Sequence, residues 1–166
     1  HILDLSSFDK DYRRCSIENL NKVIEVTKHL GEWFSKSECP RIIVNVGGFT
    51  MDKPMEHSKR ALCYKMVAEA LQELDLEGVE ILPQTMPPFP WHFGGQRFHN
   101  LFIDPKEIVE FCRQYGFRMC LDISHSKLAC NHYKWSVEEF MEQVGPYTAH
   151  LHIADAKGSD GEGLQI

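Results

Sequence analysis

The chain has 166 residues, a length that suits one domain with its own hydrophobic core and is short for two. Apolar residues make up 43% and charged residues 25%, the balance of a globular domain. The net charge of −6 disfavours non-specific binding to nucleic acid or to an anionic membrane, and no apolar run is long enough to span a bilayer. The first residues lack the pattern of a signal peptide, so we expect a cytoplasmic protein with reduced cysteines.

Short apolar runs alternate with amphipathic helices in the first half of the chain. The apolar segment 1–5 predicts a strand, and apolar residues at helical spacing predict a helix over 16–30. The β-branched run 41–46 fits a strand that is buried on both faces. A second helix is expected over 57–74, and a third strand over 79–84.

The second half begins with a long loop over 83–103, which is rich in proline and aromatic residues. Loops of this length are usually functional or disordered, and this one is too aromatic to be disordered. Asp104 and Ser136 are expected to be the N-caps of two further helices, because each is followed three residues later by glutamate. Strands are predicted before and after the second of these helices.

The alternation of about five strands with four helices indicates an α/β fold with a parallel sheet and right-handed crossovers. Two architectures satisfy it: an open flavodoxin-like sheet, and a (β/α) TIM barrel without its first and last units. Because the chain begins inside an apolar segment and ends in a loop, we expect the second. The prediction is a single, incomplete TIM-barrel domain over 1–166, cut from a longer chain.

Two predicted strand ends carry residues of the kind that bind metal ions. Asp122 ends the strand 117–123, and His125 follows three residues later. A later strand carries His150 and His152, and alternation places both imidazoles on one face. Since parallel strands end at the same edge of a sheet, these groups would meet in one crevice and bind a divalent ion. The alternatives are an Asp122 that caps the next turn and a His150 bonded to a backbone carbonyl.

Further candidates lie on the third strand and after the last one. Glu80 and Gln84 share a face, with Glu80 deep in the core or paired with a cation and Gln84 nearer the crevice. Asp155 and Lys157 follow the last strand in a glycine-rich loop. Asp155 would bind the metal or orient its ligands, unless this loop is simply solvated.

The long loop offers side chains for a polar ligand with a flat face. A sugar could stack on Trp91 and accept hydrogen bonds from His92, Gln96 and Asn100. The alternative is that the aromatic side chains of this loop only cover the mouth of a barrel.

Two segments resemble the xylose-isomerase-like superfamily of TIM barrels, namely LDISHSKLA and HLHIADAKGSDGEG. That superfamily includes sugar isomerases, sugar epimerases and apurinic-site endonucleases. Its members carry Asp-x-x-His at the sixth strand, matching Asp122 with His125, and His-x-x-Asp at the seventh, matching His152 with Asp155. By the same resemblance HILDLSS is the third strand, RIIVNVGG the fourth and GVEILPQT the fifth. The stretch ILPQTMPPFPW also resembles isomerases of surface-polysaccharide or nonulosonic-acid synthesis.

The resemblance implies a sugar or sugar-phosphate isomerase or epimerase that uses Zn, Mn, Co or Mg. Asp122 and His152 would hold the metal, joined by Asp155, and His125 would bind metal or substrate and act in catalysis. Lys157 would screen an anionic group of the substrate. The family has a metal-binding glutamate at its fifth strand, where this chain has Gln84. Glu80 would be the catalytic substitute, although it lies earlier in the strand.

Two other functions remain open from the sequence. An endonuclease or phosphodiesterase would need more ligands, and its family members have histidine where this chain has Asn45. A degenerate barrel that binds or assembles without catalysis would explain the missing glutamate. Nucleic acid is not an expected partner, and we expect a homo-oligomer because an incomplete barrel leaves sheet edges open.

Overall fold

The computed structural model describes residues 2–33, 39–92, 95–159 and 161–164, with the backbone alone for residues 32, 91–92, 95–96 and 162–164. The helices are α1 (Lys10–Leu30), α2 (His57–Gln72), α3 (Pro105–Tyr115), α4 (Ile123–Tyr133) and α5 (Val137–Val144). The strands are β1 (Arg41–Val44), β2 (Phe49–Thr50), β3 (Glu80–Pro83), β4 (Trp91–His92), β5 (Gly95–Gln96), β6 (Phe98–His99), β7 (Met119–Asp122), β8 (Thr148–His152), β9 (Asp155–Lys157) and β10 (Gly161–Leu164).

A parallel sheet forms the centre of the fold. β1 pairs with β3, β7 pairs with β8, and a single bridge from Gln84 to Cys120 joins the two pairs. The segment 1–5, predicted as a strand, forms no strand in its described residues 2–5, and it contacts the loop after β1 through one hydrogen bond, from the Leu5 amide to the Val46 carbonyl at 2.9 Å. The order of strands and the helices between them are those of an incomplete (β/α) barrel, which confirms the predicted fold class.

The central strands have one face toward the helices and one toward the inside of the barrel. Ile42, Val44, Ile81 and Leu121 are buried among the helices. Residues that alternate with these form the other face, which we call the inner face. Residues of the inner face lie opposite each other on neighbouring strands. These pairs are Arg41 with Glu80, Gln84 with Cys120, Cys120 with His150, and Asp122 with His152. Because β1, β3, β7 and β8 run parallel, their C-terminal ends lie at one end of this face, where Gln84, Asp122 and His152 are found, whereas Arg41 and Glu80 lie at the other end.

Helix caps explain most of the helix boundaries. Asp104 accepts from the Lys106 amide and Ser136 from the Glu139 amide, as the sequence predicts. α1 begins earlier than the expected residue 16, because the Asp9 carboxylate caps it. α4 was not predicted at all, since it starts directly after β7 and its sequence is rich in serine and histidine.

The long loop contains short strands that the sequence analysis did not predict. β4 and β5 form a short antiparallel hairpin inside it, and β6 pairs with β2. Among the described residues, no helix combines the length and the apolar character needed to cross a membrane. All six cysteines are unpaired thiols, and burial raises the pKa of Cys112 to about 12 and of Cys130 to about 11, which keeps these two thiols protonated and unreactive.

Candidate active site

The Asp122 carboxylate lies at the centre of the candidate site, and its two oxygens have different surroundings. Oδ1 accepts from the Ser124 hydroxyl at 2.9 Å and from the His125 amide at 3.0 Å, which caps α4. Oδ2 faces three nitrogens, each at 3.5 Å: Nδ1 of His125, Nδ1 of His152 and Nε2 of Gln84. Asp122 is only 7% exposed. The carboxylate therefore caps a helix with one oxygen and presents the other to the inner face.

Thr85 fixes Asp122 and His125 from the neighbouring strand end. The Thr85 hydroxyl accepts from the Asp122 amide at 2.9 Å, and the Thr85 carbonyl oxygen lies 2.9 Å from Nδ1 of His125. Since a carbonyl only accepts hydrogen bonds, Nδ1 of His125 carries a proton. The basic nitrogen of that ring is then Nε2, so Nδ1 of His125 is not available as a metal ligand.

The Gln84 amide lies between His125 and Asp122. Its Nε2 is placed 3.1 Å from Nδ1 of His125, where two donors would face each other. Rotating the amide by half a turn presents its oxygen to the protonated Nδ1 instead, and such amide orientations follow from the hydrogen-bond network. The amide oxygen would then lie beside Oδ2 of Asp122, an arrangement of two oxygens that a cation would stabilise.

His152 completes the group from β8. Its ring is in edge-to-face contact with His150, with centroids 5.4 Å apart, and its side chain is 40% exposed. Two ligands that share an ion at about 2.1 Å lie roughly 3.0–3.4 Å apart. The 3.5 Å between Asp122 and His152 is close to that spacing. His150 is level with Cys120, one step deeper, where burial and the Asp122 charge raise the pKa of the Cys120 thiol to about 11.

The chemistry of this group fits part of a metal site. In the stretches 2–33, 39–92, 95–159 and 161–164, no group of three or more His, Cys, Asp or Glu side chains is arranged to hold an ion. Asp122 and His152 supply one carboxylate and one imidazole, and Gln84 supplies a neutral amide oxygen. A divalent ion bound here would take its remaining ligands from water or substrate.

Asp155, a predicted ligand, has a different partner. Its carboxylate accepts from the Lys127 ammonium and from the Ala156 amide, and the Lys127 hydrogen bond holds the Asp155 pKa below its usual value. This ion pair joins α4 to β9 and uses an oxygen that a metal would need. Lys157 is exposed on the same short strand, so its contact with substrate stays a prediction.

Glu80 is at the other end of the inner face. It pairs with Arg41 on β1 at 3.2 Å and with Arg118, just before β7, at 2.6 Å. Four residues of strand, roughly 13 Å, separate it from Gln84. Of the two expected environments of Glu80, pairing with a cation is the one observed, and burial deep in the core is not, because the side chains of Glu80 and both arginines are partly exposed. We therefore leave Glu80 out of the proposed catalytic set.

Replacing Glu80 with glutamine is expected to lower stability without weakening the site. The two arginines would lose their shared carboxylate, at a cost of about 1 kcal/mol, because the ion pairs that join β1, β3 and the residue before β7 are partly exposed to solvent. Thermal unfolding would measure the loss, and Mn²⁺ titration would show unchanged affinity. A stable Glu80→Gln protein that had lost its turnover would instead make Glu80 catalytic.

The predicted substrate contacts of the loop have separate outcomes. The backbones of Trp91, His92 and Gln96 form the β4–β5 hairpin, and their side chains lie outside the described residues. Asn100 is 5% exposed, its Nδ2 donates to Gly48, Thr50 and Phe98, and its Oδ1 accepts from the Met55 amide. Because this amide holds β2 and β6 together, we leave Asn100 out of the proposed substrate contacts.

Thr85 and Ser124 are the positioning residues that sequence reasoning missed. Each orients Asp122 through a hydroxyl, and each is buried. Serine and threonine are common at strand ends and helix starts for other reasons. The signal that the sequence offers is their position, because Thr85 directly follows Gln84 and Ser124 lies two residues after Asp122.

Comparison with known proteins gives a family match and several structural matches. A family model described as a xylose isomerase-like TIM barrel matches residues 1–165. No curated protein matches the sequence significantly.

The structural matches are to proteins about twice as long. A D-tagatose 3-epimerase-like protein is 20% identical, with a TM-score of 0.69 over 97% of this chain and 55% of its own. An L-ribulose 3-epimerase is 16% identical, with a TM-score of 0.64 over 92% of this chain and 46% of its own. A 3-keto-D-glucoside 4-epimerase from E. coli is 14% identical, with a TM-score of 0.66 over 93% and 56%. This chain therefore spans about half the length of these structures, and at such identities the likeness is one of fold.

Proposed function

The chain belongs to the family of xylose isomerase-like TIM barrels, and we propose that it is part of a divalent-metal-dependent isomerase or epimerase acting on a sugar or sugar phosphate. One observation carries this proposal. Asp122 is buried, yet among the described residues its Oδ2 has only long contacts, of 3.5 Å, to two imidazoles and an amide. A buried carboxylate oxygen in such surroundings is stabilised by a cation. The epimerases among the structural neighbours support the same reaction class.

Asp122, His152 and Gln84 would hold the ion. A set of two oxygens and one imidazole suits Mn²⁺, Co²⁺, Mg²⁺ or Zn²⁺. When bound, the ion would polarise a carbonyl oxygen and a neighbouring hydroxyl of the sugar, which would acidify the C–H of the hydroxyl-bearing carbon next to the carbonyl.

His125 is the proposed proton carrier. The hydrogen bond from its Nδ1 to the Thr85 carbonyl fixes the tautomer, so Nε2 is the basic atom that would take a proton from the sugar carbon. Gln84 cannot do this work, because an amide neither accepts nor releases a proton near neutral pH. At the end of β3, Gln84 would therefore serve only as a ligand of the ion, and a second proton-transfer group would come from another part of the full protein.

Metal content and proton exchange together test the proposal. The full natural protein would be stripped with chelator, reloaded with Mn²⁺ and incubated with D-tagatose or L-ribulose in D₂O. We expect tight binding of a divalent ion and deuterium incorporation next to the sugar carbonyl, detected by NMR. A protein that holds no divalent ion and exchanges no proton in any sugar would overturn it.

A role in surface-polysaccharide or nonulosonic-acid synthesis, a homo-oligomer and a cytoplasmic location stay predictions. A barrel without catalysis is the second candidate, and the observation in its favour is Gln84 where the resemblance leads us to expect a carboxylate. Metal binding without proton exchange would favour that alternative.

A further inference from the structure

Asn45 lies beside the candidate site on the next strand. Val44 on β1 is the register partner of Pro83 on β3, and the Gln84 amide donates to the Val44 carbonyl at 3.0 Å. The following residues, Asn45 and Gln84, therefore lie level with each other. Partners in neighbouring parallel strands have side chains on the same face, so Asn45 belongs to the inner face with Gln84.

A hydrogen bond fixes the orientation of the Asn45 amide. Its Oδ1 accepts from the Gly47 amide at 3.0 Å. Gly47 has a φ of 92°, and a Cβ there would come within 2.2 Å of the Asp4 carboxylate. The turn after β1 therefore requires glycine and holds its shape, which keeps Oδ1 engaged.

The other end of the amide has a different environment. Within the described part of the chain, no group accepts a hydrogen bond from Nδ2 of Asn45, and the residue is partly exposed. Nδ2 is thus a preoriented donor at the C-terminal ends of the strands. Two strand spacings across the sheet and two residues along β7, together about 12 Å, separate Asn45 from Asp122. A sugar bound by one end at Asp122 would bring its far hydroxyls to Asn45.

We propose that Asn45 is a substrate-binding residue, whose Nδ2 donates a hydrogen bond to a neutral hydroxyl oxygen of an unphosphorylated sugar; this rests on the proposed function above. The neutral class follows from the charges nearby. The inner face at this end contains Gln84, Asp122 and His152, and the neighbouring Lys127 is paired with Asp155. None of these inner-face residues, all of them among the described residues, is a lysine or an arginine, so a phosphate beside Asn45 would meet neutral amides and the Asp122 carboxylate.

The test compares the wild-type protein with Asn45→Ser. Serine keeps an oxygen that can accept a hydrogen bond from the Gly47 amide, so the unfolding temperature should change little. It lacks the Nδ2 amino group that would reach the sugar. We expect KM for D-tagatose to rise roughly three- to tenfold, with a smaller change in kcat, because a remote contact contributes equally to ground and transition states. Asn21→Ser, on the outside in α1, is the matched control and should leave KM unchanged.

Deoxy derivatives of D-tagatose identify the contacted hydroxyl. For the derivative that lacks the hydroxyl bound by Nδ2 of Asn45, the wild-type and Asn45→Ser proteins should have equal KM values. Equal losses for every derivative, or an unchanged KM for D-tagatose, would overturn the inference. Tighter binding of D-tagatose 6-phosphate than of D-tagatose would overturn the neutral assignment.

The two proposals fail in different ways. If the wild-type protein binds none of these sugars, the proposed function fails and the role of Asn45 falls with it. If the wild-type protein turns over D-tagatose and Asn45→Ser does so with the same KM, only the role of Asn45 is overturned.

Discussion

Replacing Asp122 with asparagine is expected to abolish divalent-metal binding and to reduce sugar turnover by on the order of a thousandfold or more. Asparagine keeps the oxygen that accepts from Ser124 and from the His125 amide, so the cap of α4 remains. It replaces the charged Oδ2, which faces His125 and His152, with an NH₂ group that cannot bind a cation. Calorimetric titration with Mn²⁺ and a turnover assay of the full natural protein would measure both effects.

Asp104→Asn is the matched control for this substitution. Asp104 also caps a helix, accepting from the Lys106 amide at 2.9 Å at the start of α3, away from the inner face. The same chemical change there should leave Mn²⁺ affinity and turnover as in the wild type. If Asp122→Asn retained full turnover, the cation site would be wrong and a barrel without catalysis would be favoured.

The double role of Asp122 shows what a sequence pattern can and cannot predict. The D-x-x-H spacing predicts either a metal ligand or a carboxylate that caps the next turn. The structure has the cap on Oδ1, while Oδ2 remains directed at two imidazoles. Spacing along the chain cannot separate these roles, because both need a carboxylate at the end of a strand. The difference lies in which oxygen faces which neighbour, and that depends on contacts from other strands.

The fold itself was accessible from local patterns. Apolar runs of strand length, capped helices and their alternation are local features, and parallel strands then meet at one edge by geometry. Interactions between distant segments were not accessible. The pairing of Asp155 with Lys127 spans 28 residues, and that of Glu80 with Arg118 spans 38. Both carboxylates were candidate site residues because the sequence does not show which cation lies beside each of them.

Thr85 is a residue that supports the candidate site but was not predicted from the sequence. Its hydroxyl and carbonyl orient Asp122 and His125, which lie 37 and 40 residues further along the chain. Nothing in the residues around it predicts this, because a threonine after a strand is typical of any turn. The polar residues at the strand ends of the candidate site can therefore be predicted from the sequence. The contacts that orient them can be identified only in the folded structure.

Replacing Gln84 with glutamate is expected to raise Mn²⁺ affinity by on the order of a hundredfold, because a carboxylate would replace a neutral amide beside the proposed ion. Without metal, the new charge would lie near Oδ2 of Asp122, which is 3.5 Å from the Gln84 amide, and would lower the unfolding temperature. Added Mn²⁺ should reverse that loss. Gln72→Glu, at the exposed end of α2, adds the same charge elsewhere and should change neither quantity. An unchanged or weaker Mn²⁺ affinity in Gln84→Glu would place the ion, or the amide, somewhere other than between β3 and β7.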